Sequence, residues 1–354
     1  MLRLDNVSVT AGSFQLKNIT FKVDRGDYFV ILGPSGVGKS LLLETIAGLR
    51  KLDSGSIYLR DVNVTEERIQ KRNISIVYQD ADLFPHLSVH ENIAYPLKCK
   101  KEHRIKEKVL KSAQLTGVAD KLRRRPGTLS GGEYQRVSLA RSIAADSDII
   151  LLDEPLSSID SKARRDLRAL LRAINREGIT VIHVTHDYEE AVSVASKIGI
   201  MEHGQLVHID APEEIFKHPK SEFVAHFVGV KNFLKGRLQS VATSELKEFI
   251  TNGLTLYCLT DVDDGEAYLM IGPDEISLAN SRQSTSNRNH FQGVIKDIAQ
   301  ARIGMEVTVS IGCDLVVTIS SEARKSLALE IGKNVWVSFK ASSCKIYRSD
   351  PDRQ

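Results

Sequence analysis

The stretch GPSGVGKS, Gly33 to Ser40, follows the apolar run YFVIL and precedes the apolar run LLLETIAGL. A strand that ends in a glycine-rich turn and continues as a helix has one main use for that turn. Backbone N–H groups curl inward, and the helix aims its positive end at whatever anion they surround. Gly33, Gly36 and Gly38 let the backbone close, with Pro34, Ser35 and Val37 between them. In the G-x-x-x-x-G-K-[ST] pattern, Lys39 reaches the β- and γ-phosphates of a nucleotide and Ser40 offers its hydroxyl to Mg2+. Such a loop requires an α/β sheet, and DIILLD and TVIHVTH read as further buried parallel strands.

Other segments complete a site around that loop. IILLDEP places Asp153 at the end of a buried strand, where a carboxylate serves magnesium through water. Glu154 follows, suitably placed to polarise an attacking water. In LSGGEYQR, Ser130 and Glu133 have capping-box spacing, and Gly131 and Gly132 open the backbone at a helix start. That makes a second anion-binding N-terminus, with no lysine of its own. Gln79 in VYQD and His186 in VTHD each follow a β-type run, so both are expected at the sheet edge where ligands bind.

Bulk properties narrow the class. A chain of 354 residues is long for one core, so two or three domains are expected. The net charge of +3 is too small to argue for a nucleic-acid partner. The four cysteines are scattered without a C-x-x-C pair, which argues against a zinc site or disulfide framework and fits a reducing compartment. MLRLDNVSV alternates apolar and polar residues and lacks a signal-peptide core. No apolar run approaches the roughly 20 residues of a membrane helix, so a cytosolic protein is expected, reaching any membrane through a partner.

Along the chain, residues 1–230 read as the α/β unit, interrupted by a mostly helical stretch at about 89–145. SKIGIMEHGQLVHID reads as a strand pair turning at His203-Gly204. From 231 to 354 strand-like alternation takes over. NFLKG, opening at Asn232, is echoed by NHFQG, opening at Asn289. Two related small β-barrel lobes are expected, joined by the polar linker LANSRQSTSNRN, the last lobe spanning about 285–348.

Taken in order, these motifs resemble the ATP-binding cassette (ABC) family of transport ATPases, over essentially all of residues 1–230. The resemblance implies an α/β P-loop NTPase, with a RecA-like core and a helical subdomain, followed by an all-β regulatory tail of small OB-like barrels. It implies that LSGGEYQR closes on ATP held by a second copy, in a homodimer. It implies that Gln79 contacts Mg2+ and the attacking water, and that His186 contacts the γ-phosphate. Asp160 in LSSID matches the family's D-loop aspartate, with Ser158-Ile159 in place of the common Ala-Leu. Phe14 sits where the family stacks an aromatic on adenine. Leu83, Phe84 and Pro85 match the region that grips a helix of an integral-membrane permease. The implied setting is the cytoplasmic face of the membrane, with a solute-binding protein on the far side.

Residues 285–347 resemble the molybdate-binding type of barrel. The resemblance rests on Ser286, Arg288 and Asn289, on Gly293, on VVTIS, and on Lys340-Ala341-Ser342. It implies Ser286, Arg288, Lys340 and Ser342 as ligands of a tetrahedral oxyanion, and molybdate or tungstate as cargo. Two departures stand out: Ala323 falls three residues after Ser320 where a second hydroxyl is common, and IGPDEI has Gly272 where an arginine is usual. Sulfate, iron(III), a sugar or a polyamine is the competing cargo.

Overall fold

The computed structural model describes residues 1–79, 83–157, 159–241, 244–301 and 303–348, so Ser158 lies outside the described residues. The chain divides into two compact units, Met1–Ile215 and Phe216–Gln354. The first unit runs β1 (Leu2–Ala11), β2 (Phe14–Val23), β3 (Tyr28–Leu32), α1 (Lys39–Ala47), β4 (Ser54–Leu59), β5 (Val62–Asn63) and β6 (Ile74–Val77). It continues through α2 (Val89–Cys99), α3 (Ile105–Thr116), α4 (Gly131–Ala144), β7 (Ile149–Asp153), α5 (Ser161–Arg176), β8 (Thr180–Thr185), α6 (Tyr188–Val194), β9 (Lys197–Glu202) and β10 (Gln205–Asp210).

Two sheets organise this unit. One is antiparallel, in the order β2-β1-β4-β5; the other has the order β10-β9-β3-β8-β7-β6, parallel except for β10. Every residue of β3, β7 and β8 is buried, as continuous apolar runs covered on both faces require. A shared core between the sheets takes Leu4, Leu16 and Ile57 from one, and Phe29, Leu151 and Val184 from the other. The helix α5 buries Leu167, Leu170, Leu171 and Ile174, one stripe of an otherwise basic helix. The helices α2, α3 and α4 pack on a separate core that includes Ile93, Val109 and Val137. β9 and β10 are joined through His203 (φ 44°) and Gly204 (φ 78°), both left-handed.

The helix α7 (Pro212–Lys217) contains the division, and the second unit follows with α8 (Glu222–Phe227), which packs on the first tail strand. That packing places residues 216–230 with the tail, whereas composition alone suggests a division at 230. The tail strands are β11 (Asn232–Ser240), β12 (Lys247–Thr251), β13 (Leu254–Cys258), β14 (Gly265–Ile271), β15 (Ser277–Ala279), β16 (Asn289–Gln300), β17 (Met305–Ser310), β18 (Asp314–Ile319), β19 (Asn334–Phe339) and β20 (Lys345–Arg348), with the short helix α9 (Ser321–Ser326) before β19.

Their orders, β13-β12-β11-β14-β20 and β18-β17-β16-β19-β15, are the same order twice. The repeat is real, but its halves are not self-contained lobes. β15 follows β14 in sequence yet pairs with β19, and β20 follows β19 yet pairs with β14. Each half thus lends its last strand to the other, and both sheets share one core, from Leu238 and Phe249 to Val337 and Phe339. The polar linker accordingly begins inside a strand.

The repeated asparagines hold this exchange together. Asn232 is buried; its amide donates to Val316 O (2.8 Å) and Ile271 O (3.2 Å), and its carbonyl accepts from Val316 N (2.7 Å). Asn289 does the same across the repeat, donating to Tyr257 O (2.9 Å) and accepting from Tyr257 N (2.8 Å). Each clasps the backbone of the third strand in the opposite half, so strand-edge groups that no ladder pairs are satisfied.

Candidate active site

The strand β3 delivers the phosphate loop at the C-terminal edge of the parallel sheet. Gly36 (φ 84°) and Gly38 (φ 97°) are left-handed, and a Cβ on Gly38 would lie 2.6 Å from the Phe14 ring. A Cβ on Gly33 would collide with the Met201 carbonyl. No side chain caps α1, so its first N–H groups stay open to the loop. A cleft of about 250 Å3 is lined by Ser35, Gly36, Gly38, Lys39, Ser40, Leu41 and Glu154. Val37 instead turns into the core.

Inside the loop, the Lys39 ammonium donates to Gly33 O and Pro34 O, each at 2.8 Å, and stands 3.8 Å from Glu154 Oε1. Burial lowers the Lys39 pKa, and the carboxylates of Glu154 and Asp153 oppose that shift. Ser40 Oγ donates to Asp153 Oδ1 at 3.1 Å. Burial pushes the Asp153 carboxyl above its ordinary value, with the Ser40 hydrogen bond pulling the other way. A hydroxyl and a carboxylate oxygen side by side are the hard donors Mg2+ takes, with water and phosphate filling its remaining positions. The residues therefore fit a bound Mg2+.

Glu154 turns off the end of β7 with φ 43°, left-handed for a non-glycine residue. Its N–H donates to Val184 O at 3.0 Å, and its Oε1 lies 3.1 Å from His186 Nδ1. Glu154 and His186 thus meet at the cleft, from adjacent strands. Val77 pairs with Leu152, so Gln79 leaves the same sheet edge beside Glu154, with its side chain exposed. Phe14 is half-buried against the core, one ring edge closing on Gly38.

Other expected residues stand outside this cleft. Ser130 caps α4 in a complete capping box with Glu133, and Gly131 and Gly132 open the helix. A Cβ on Gly132 would touch Ala163 at 3.4 Å, so this glycine lies against the start of α5. Asp160 caps α5, accepting from Lys162 N and Ala163 N at 3.0 Å each, and those bonds lower its carboxyl pKa. Leu83 does not line a groove: it is 5% exposed in the helical core, and its N–H donates to the Tyr134 hydroxyl at 3.0 Å. Phe84 is half-buried with its ring 4.6 Å from that of Tyr95, and Pro85 is exposed. Buried Asn92 clamps this loop, accepting from Phe84 N (2.8 Å) and donating to Phe84 O (3.1 Å) and Ser88 O (3.0 Å).

In the tail, Asn289 pairs with Phe339, which brings Arg288 and Lys340 to one end of the β16–β19 ladder. Ser286, Arg288, Lys340 and Ser342 are all exposed.

Sequence reasoning missed a buried polar chain behind the loop, formed by Tyr28, His183, Thr185 and Glu190. Its one legible trace was a histidine inside the otherwise apolar strand TVIHVT.

Comparisons with known proteins agree with this geometry. The ABC transporter family profile matches residues 16–157, and the TOBE domain profile matches residues 285–346. The molybdate/tungstate import ATP-binding protein WtpC of Pyrococcus abyssi is 36% identical over 98% of this chain and 100% of its own length. The sulfate/thiosulfate import ATP-binding protein CysA of Thermosynechococcus vestitus is 43% identical over 67% of this chain and 72% of its own. An ATP-binding cassette solved as a dimer in a post-hydrolysis state with ADP and Pi is similar at 30% identity, with a TM-score of 0.54 over 60% of this chain and 99% of that one. Loop, strand-end carboxylates and near full-length relatives lead to one assignment: the chain belongs to the ABC transporter family, as an ATP-hydrolysing import subunit with a C-terminal TOBE domain.

Proposed function

We propose that this ATPase drives molybdate or tungstate uptake. The observation that carries the reading is the match to a molybdate/tungstate import protein across 98% of the chain, tail included. The sulfate/thiosulfate relative, more identical but over 67% of the chain, supports the ATPase more than the cargo. Two copies sandwich two ATP molecules, each between one phosphate loop and the partner's Ser130–Gly132 segment. The dimer works on the cytoplasmic face of the membrane against integral permease subunits, which receive cargo from a solute-binding protein outside. Among the described residues no helix is long and apolar enough to cross a membrane, so contact with the bilayer runs through those subunits.

Within each site the residues divide the work. Lys39 exchanges its hydrogen bonds to the carbonyls of Gly33 and Pro34 for the phosphates. Magnesium bound at Ser40 and Asp153 supplies charge stabilisation on the phosphate oxygens. Glu154 takes the proton of the attacking water, His186 orients toward the γ-phosphate, and Gln79 reports contact with the permease. Phe14 and Asp160 complete the nucleotide pocket and the dimer contact.

In the tail, Arg288 and Lys340 provide positive charge at one ladder end, and Ser286 and Ser342 provide hydroxyls. A tetrahedral dianion bound there reports intracellular supply and slows the ATPase. Calorimetric titration of the full chain with molybdate, tungstate and sulfate tests this. Heat is expected for the two metal oxyanions, weakened by Lys340→Ala and unaffected by filling the nucleotide site. Absence of heat, or equal response to sulfate, overturns the tail's role as a sensor of these oxyanions and leaves the ATPase standing.

A further inference from the structure

The polar chain behind the phosphate loop joins three elements. Tyr28 opens β3, His183 and Thr185 lie on β8, and Glu190 lies on α6; all four are at most 4% exposed. Tyr28 Oη is 3.0 Å from His183 Nδ1, and His183 Nε2 is 2.9 Å from Glu190 Oε1. Thr185 Oγ1 donates to Glu190 Oε2 at 3.1 Å and accepts from Asp187 N at 3.1 Å. Glu190 N in turn donates to Asp187 Oδ1 at 3.0 Å. The carboxylate is thus held through Oε2, with Oε1 facing His183, and the contacts among Thr185, Asp187 and Glu190 enclose the backbone on each side of His186.

Proton positions along the chain follow from the donors available. Burial and the Glu190 charge push the Tyr28 phenol well above its ordinary pKa, so it keeps its proton. Its hydroxyl faces His183 Nδ1, which accepts that proton when the ring carries its own on Nε2. The other ring nitrogen, Nε2, faces Glu190. The 2.9 Å approach lies off the N–H axis, leaving Nε2 and Oε1 without an aligned hydrogen bond although they face each other. A buried carboxylate is costly unless its partners are in place, so this arrangement is hard to explain as filler.

The chain ends at the catalytic groups. Thr185 O accepts the Gly33 N–H at 3.3 Å, so the first residue of the phosphate loop hangs on the same residue that anchors Glu190. Val184 O accepts the Glu154 N–H at 3.0 Å. His186, between Thr185 and Asp187, meets Glu154 at 3.1 Å. Glu154 and His186 both need their backbone fixed to face one phosphate, and the imidazole is half exposed.

We propose that His183, Thr185 and Glu190 are positioning residues for ATP hydrolysis. They touch no substrate; they hold the backbone from which His186 projects and to which the phosphate loop and Glu154 are bonded. Losing the chain lowers turnover while leaving nucleotide affinity nearly intact, because misplacement acts on the reacting geometry more than on the phosphate cradle.

The test uses the full chain and steady-state ATP hydrolysis, with thermal midpoint and KM measured alongside. His183→Leu removes both ends of the histidine link. His183→Gln can still accept from Tyr28 and donate to Glu190. Thr185→Val removes only the hydroxyl that ties Glu190 to the Asp187 amide. Expected are a kcat fall of about tenfold or more for His183→Leu and Thr185→Val, a KM within about threefold, and recovery of most of the kcat in His183→Gln. Should His183→Leu fail to fold, Thr185→Val and His183→Gln carry the comparison. A kcat within threefold in Thr185→Val overturns the proposal. So does a loss that follows the folded fraction at assay temperature, or one that His183→Gln shares fully.

Discussion

At the scale of single residues, Glu154 shows how far chemistry can be read from a strand end. Its position after Asp153 makes it the proposed base, yet its left-handed φ of 43° and its 3.1 Å contact with His186 come from the meeting of two strands distant in sequence. No local propensity signals either. Glu154→Gln keeps the shape and removes the basicity, so hydrolysis should fall by about 10²–10⁴-fold, with ATP binding retained. Filter-binding with labelled ATP beside a phosphate-release assay checks both halves, and retained hydrolysis would assign the base elsewhere. Lys39 is the complementary case. The motif named it, but not its resting bonds to Gly33 O and Pro34 O, which arise because a buried ammonium must find acceptors. In the tail, Asp264 accepts from Ser240 N, then from the Ser240 hydroxyl and from Lys247, and is held at about 2. A depressed carboxylate contributes stability above its unfolded value, and that contribution is lost as pH falls through the folded one. Acid should therefore weaken the tail between the ordinary value of 3.8 and about 2, and Asp264→Asn should remove that part of the pH dependence. Thermal melts of both forms across this window decide it; identical acid slopes would show that Asp264 contributes nothing.

At the scale of elements, continuous apolar runs identified β3, β7 and β8, because strands covered on both faces need no polar alternation. The echo of NFLKG in NHFQG identified the repeat. What stayed hidden was the exchange of β15 and β20, since pairing partners are chosen by the shared core and not by neighbours in sequence. Leu83 illustrates the same limit: an apolar residue near a docking loop looks like groove lining until α2 and α4 enclose it. Asn232 and Asn289 were legible only as punctuation before a glycine, although each carries the crosswise clasp of one half onto the other. Replacing either with alanine leaves a part-buried backbone N–H and C=O without the clasp, a loss of about 1 kcal/mol or more. Because the halves repeat, Asn232→Ala and Asn289→Ala should cost similar amounts in urea denaturation of the tail transition. A large cost at one and none at the other would show that the two clasps are not equivalent.

At the scale of the whole molecule, the two units have separate cores, so the ATP site and the tail can be separated by cutting between them. Residues 216–230 belong by packing to the tail, with α8 against β11, so a truncation that spares the ATPase should end at Lys217, after α7. This cut also resolves an ambiguity in the proposed regulation. Molybdate is a tetrahedral dianion, and a phosphate loop that binds phosphates has some affinity for any such anion. Slower hydrolysis in molybdate is therefore expected from two different causes, competition at the loop or binding in the tail. If the tail senses the anion, the full chain should slow at low molybdate without a change in KM for ATP, and the chain ending at Lys217 should not respond. If the loop is the target, both chains should slow alike, and raising ATP should restore the rate. Steady-state hydrolysis of the two chains over a grid of ATP and molybdate concentrations separates these outcomes, and equal inhibition of both chains would remove the regulatory role from the tail.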